Sequence, residues 1–94
     1  MKPEAIIGRS VIVGMTIVNA NNEVLETKDF AGQVIEISDE KGIVICNHDS
    51  KQAIGLPLNF DAFRPAVKGN YTLKQSGLKI KNPDLTCEMT IIKK

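Results

Sequence analysis

Val11-Ile12-Val13-Gly14-Met15-Thr16-Ile17-Val18, followed at once by Asn19-Ala20-Asn21-Asn22, carries the plainest structural signal in this chain. The run is dominated by β-branched residues, whose stiff side chains favour the pleated backbone of a strand. Asparagine tolerates positive φ and bonds its own backbone, so the cluster that follows is a hairpin turn. Outward from this hairpin the same pattern repeats. Glu23–Thr27 forms the return strand and Lys28–Gly32 a break. Gln33–Ile37 and Ile43–Asn47 then flank a turn at Ser38–Gly42, and a second turn follows at Asn47–Ser50. A strand is expected over Ala53–Leu58, then Tyr71–Lys74, Leu78–Lys81 and Leu85–Ile92, the last two joined by the turn Asn82-Pro83-Asp84.

Between Leu58 and Tyr71 the pattern changes. Asn59 is placed to cap one helical turn through Phe63, and Pro65 excludes the α conformation at Arg64 and so ends it. No apolar i, i+3, i+4 series is sustained over three turns anywhere. The expected fold is therefore all-β: a small SH3-like barrel or a strongly bent antiparallel sheet of five to seven strands. One short 3-10 turn is expected near residues 59–64. OB-type and Greek-key barrels share these cues. Ninety-four residues suit a single domain, spanning residues 1–94, with no repeat or low-complexity segment.

The composition narrows the function classes. Hydrophobic residues make up 43% and charged residues 24%, which is the balance of a globular protein. Residues 1–50 carry four basic side chains against eight acidic ones, and residues 51–94 carry eight against three. In an interleaved β-domain that split reads as solvated strand faces, with a basic patch at Lys68, Lys74, Lys79 and Lys81 as the sharper alternative. The opening residues do not have the pattern of a signal peptide, and no run is long enough to cross a bilayer, so the expected location is cytoplasmic, with no membrane partner. Cys46 and Cys87 sit within apolar alternation and read as buried free thiols, with a disulfide as the alternative.

No cofactor or metal site is expected. Cys46, His48 and Asp49 are near neighbours along one strand and turn, whereas a nucleophile, base and orienter must converge in space. Glu23, Glu26, Asp29 and Glu36 match no cation-binding loop. Gly8, Gly14 and Gly32 form no phosphate loop, and Gly14, in mid-strand, is a candidate bulge. The reading is non-enzymatic.

The rings Phe60, Phe63 and Tyr71 are expected to close one end of the core. Around them Phe63, Arg64, Lys68, Tyr71 and Lys74 form a candidate binding surface. A nucleic-acid-binding barrel would use the same patch, although aromatic residues are only 4% of the chain. The first strand is apolar on both faces, and a small domain can bury only one of them. Ile12, Val18 and Ile92 are therefore candidate self-association residues, and a homodimer or an unidentified protein is the expected partner.

One resemblance goes further than these patterns. Gly32 and Val34, Lys41-Gly42-Ile43, Leu56-Pro57, Pro65-Ala66, Gly69, Tyr71, Leu73, Ser76-Gly77 and Asn82-Pro83-Asp84 together resemble the phrasing of a family of short, uncharacterised bacterial proteins. The resemblance spans about two-thirds of the chain, and the sequence departs from it at Asn70 and around Met89. It implies a shared small β fold and an origin as cargo of mobile gene cassettes, but no activity.

Overall fold

The computed structural model describes residues 3–74 and 76–93. A single helical turn, α1 (Pro3–Ile6), leads into the strands β1 (Ser10–Val18), β2 (Val24–Ser38), β3 (Gly42–Asn47) and β4 (Ala53–Leu56). A 3-10 turn at Phe60–Ala62 then precedes β5 (Phe63–Pro65), β6 (Asn70–Thr72), β7 (Lys79–Lys81) and β8 (Leu85–Ile92). The fold is all-β, as the alternation predicts.

Six strands form one sheet in the order β4-β3-β2-β1-β8-β5, and β6 and β7 pair as a separate two-stranded sheet. The β1/β2 hairpin turns where the asparagines require it. Asn19 Oδ1 accepts from the backbone N–H of Asn21 and Glu23, and Asn22 takes a φ of 64°. One pairing is of a kind that alternation does not announce: β8 lies parallel to β1, Val11 beside Leu85 through Val18 beside Ile92. Asp84 fixes that register. Its carboxylate accepts from the N–H and hydroxyl of Ser10, and its own N–H donates back to the Ser10 hydroxyl oxygen at 2.9 Å.

Three local expectations are corrected. Lys28–Gly32 is no break: β2 runs unbroken for 15 residues. Gly32 allows this, because a Cβ there would run into the Cys46 carbonyl and the Ile45 side chain. Gly14 is not a bulge but sits in regular register between Asp29 and Glu88. The irregularities fall instead between Ile17 and Val18, where Leu25 is the extra residue, and at Ile35. Finally, the Asn59 side chain makes no capping bond, and the turn ends at Ala62. Arg64 and Pro65 lie in the short strand β5 rather than at a helix terminus.

The core occupies one face of the large sheet. Val11 and Val13, Phe30 and Val34, Ile43 and Ile45, Leu56, Phe63, Leu85, Cys87 and Met89 form a single cluster, with Ile6 of α1 fully buried among them. Leu56 and Phe63 come from the two outer strands. A flat six-stranded sheet would separate those strands by about 24 Å. The Leu56–Phe63 link, four extended steps and three 3-10 steps, reaches only about 20 Å. The sheet therefore bends toward its own core, although no ladder joins β4 to β5 among the described residues.

Candidate functional site

Alternation sets the opposite face of β1 and β8 by elimination. With Val11, Val13, Leu85 and Cys87 turned inward, Ile12, Gly14, Thr16, Thr86, Glu88 and Thr90 face outward. Over this outer face lies an open depression of about 650 Å³, bounded on its far side by Tyr71 and Lys74. The backbone N–H of Lys74 donates to Asp29 Oδ2 at 2.6 Å, tying the segment after β6 to β2. Beside it, Asn59, Asp61, Ala62 and Arg64 line a second depression of about 540 Å³. Thr86 and Glu88 line both, so the two form one shallow groove across β8.

The expected binding surface is divided by the sheet. Phe63, 3% exposed, belongs to the core, and Phe60 packs partly against it. Tyr71 lies in the outer depression, so the three rings do not close one end of the core together. The Tyr71 hydroxyl donates to the Val67 carbonyl at 2.7 Å, which steadies the ring above the groove. Arg64 lies in the neighbouring depression, and exposed Lys68 lines neither. Each cationic end of the groove also has a carboxylate: Asp29 and Glu88 near Lys74, Asp61 and Glu88 near Arg64. A phosphate backbone would meet like charge at both ends. Phe63 offers no face on which a base could stack.

The self-association candidates are placed differently. Ile12 is half-buried on the floor of the first depression. Val18 and Ile92 are register partners, and Val18 also pairs with Val24. Val18 is 5% exposed, but Ile92 is 58% exposed and Val24 62%, and the bulged Leu25 beside them is 54% exposed. This apolar tip crowns a three-stranded extension. β3 joins β2 only from Gly32 onward, and β5 joins β8 only as far as Cys87. Among the described residues, the β2 and β8 segments that flank β1 from Gly14 to Val18 ladder to no further strand, although the Lys74 N–H reaches Asp29 on β2. Val24 and Leu25 were not singled out as surface residues.

The titratable groups show structural roles. The Asp84 carboxyl is held below its ordinary value, first by the Ser10 backbone N–H, then by the Ser10 hydroxyl, with Arg9 adding a weaker attraction. Both cysteines are free. Cys87 is buried, and desolvation, with the charge of Glu88 second, pushes its thiol up to about 12. Cys46 is only half-buried, and its thiol donates weakly to the Lys51 carbonyl at 3.8 Å. His48 sits exposed in its turn, held by a backbone bond to Ala31. No cluster of three potential metal ligands occurs among the described residues, and no helix there is long and apolar enough to cross a membrane. Comparison with family models, with curated proteins and with solved structures finds no match to this chain.

Proposed function

We propose that this protein is a non-enzymatic binding and assembly module that works in the cytoplasm and self-associates into a homodimer. The observation that carries the reading is the three-stranded extension of β1, β2 and β8. It has the exposed apolar tip Val24, Leu25 and Ile92, beside a β8 segment, Glu88–Ile92, that ladders only to β1 among the described residues. Unpaired strand edges template pairing with another chain unless they are blunted or covered, and apolar side chains grouped at such an edge add burial to that pairing. A second copy of the chain brings the same edge and the same tip, which is the isologous arrangement of most small oligomers. The free state of both cysteines fits a reducing compartment.

Light scattering coupled to size exclusion, over a concentration series reaching tens of micromolar, tests the reading. The expected result is a mass that rises from one chain to two. A constant monomer mass across the series overturns it.

A further inference from the structure

We propose that the outward face of the β6/β7 ribbon is a docking surface for the phosphate backbone of double-stranded DNA. This face lies apart from the groove, and its use does not depend on self-association.

Register sorts the side chains of the ribbon. Tyr71 pairs with Ile80, and both are half-buried, with Tyr71 against the groove. Asn70 pairs with Lys81, and Thr72 with Lys79. Strand alternation turns these four to the opposite face, and all four are exposed. Exposed Lys68 stands just beyond the base of the ribbon. Two bonds close that base: Gly69 N–H donates to Asn82 Oδ1 at 2.9 Å, and Asn82 N–H to the Gly69 carbonyl at 2.8 Å. Beyond β6, Leu73 is buried and the Lys74 N–H is bonded to Asp29. The ribbon is thereby fixed to the body with its basic face toward solvent.

Charge selects the occupant. Residues 66–82 carry Lys68, Lys74, Lys79 and Lys81 and no acidic residue. Lys74 belongs to the groove, beside Asp29 and Glu88. Lys68, Lys79 and Lys81 have no ion-pair partner among the described residues. Lys79 and Lys81 stand about 7 Å apart, two steps along one strand. Duplex DNA offers a phosphate about every 3.4 Å along each strand, so both ammoniums meet an anion at once. Asn70 and Thr72 add amide and hydroxyl donors of the kind that bond phosphate oxygens. The face carries no aromatic ring, since Tyr71 is turned to the groove and its hydroxyl is bonded to Val67. A single strand would find nothing there to stack on, which favours the duplex.

Fluorescence anisotropy with a labelled DNA duplex of about 20 base pairs is the test. Contacts from Lys79 and Lys81, with or without Lys68, predict that log K falls against log salt with a slope of roughly −2 to −3. That is a loss of about ten- to fortyfold between about 50 and about 200 mM salt. K79Q/K81Q is expected to weaken binding at about 50 mM salt by at least about tenfold and to flatten the slope by roughly two. K41Q/K51Q removes the same charge from the turns that flank β3 and is expected to leave the slope unchanged. The wild-type slope stands as a measurement even if a variant fails to fold. An unbound duplex at about 50 mM salt overturns the proposal. So does an equal loss in K41Q/K51Q, or tighter binding to the single strand, to poly-glutamate or to phosphatidylserine vesicles than to the duplex. A wild-type protein that binds the duplex but stays monomeric overturns self-association alone.

Discussion

Replacing Phe63 with alanine tests which side of the sheet this ring serves. Phe63 opposes Cys87 across the β5/β8 pairing and is 3% exposed within the core cluster. Truncation to alanine removes roughly 130 Å² of buried apolar surface, worth about 3 kcal/mol at roughly 25 cal/mol per Å². A cavity term adds to this, because β5 is fixed to β8 and cannot collapse freely into the space. The expected loss is therefore about 3–5 kcal/mol. A domain of this size has on the order of 5–14 kcal/mol in total, so the loss is a large fraction of its stability. Phe60, packed only partly against the same cluster, should cost about half as much. The chain has no tryptophan, so urea unfolding is best followed by far-UV circular dichroism. The expected result is a lower midpoint with an unchanged slope. A Phe63→Ala protein within about 1 kcal/mol of wild type would refute the core assignment.

Further expectations concern glycines, thiols and pH. Gly14→Ala should leave the melting temperature unchanged or slightly raised, by up to about 1 kcal/mol of stability, since the added Cβ meets nothing nearer than Glu88 Cγ at 4.0 Å. Gly32→Ala should cost about 2 kcal/mol or more in the same melt, because backbone and Ile45 must both give way. A thiol reagent at neutral pH should label Cys46 first and reach Cys87 only at the rate of unfolding; equal rates would contradict the burial that raises the Cys87 thiol to about 12. Asp84 is more acidic folded than unfolded, so its contribution is present above its ordinary 3.8 and is lost as pH falls through its lower folded value. An Asp84→Asn protein should accordingly show a shallower loss of stability below about pH 4 in acid titration.

Most strands were legible because their cause is local. β-branched alternation and asparagine or glycine turns act within a few residues, and the hairpin at Asn19–Asn22 forms where they place it. Lys28–Gly32 misled because charge and glycine mark a break locally, whereas continuous pairing with β1 from Val24 to Gln33 carries the strand through to where β3 joins at Gly32. β5 was missed since three residues ending in a proline have no period to read; β8 supplies its reason to be a strand. For the candidate site, composition showed where the rings cluster along the chain but not that the sheet would pass between them. Phe63 faces inward and Tyr71 outward because β5 joins the large sheet while β6 belongs to the small one. How far β1, β2 and β8 extend beyond the other strands depends on where β3 and β5 stop, a property of neighbours distant in sequence.

The parallel pairing of β1 with β8 also has a consequence in time. Ser10 and Asp84 bond across 74 residues, so β1 is synthesised well before the strand that covers its second side. Until then Ser10–Val18, apolar, β-rich and free of formal charge, is itself an edge, of the composition that favours intermolecular sheets. Such long-range closure is slow relative to hairpin formation. The hairpin with β2 forms from local contacts, but the sheet is complete only once β8 arrives. The interval between those events, rather than the finished fold, is where this chain is most exposed to aggregation during synthesis.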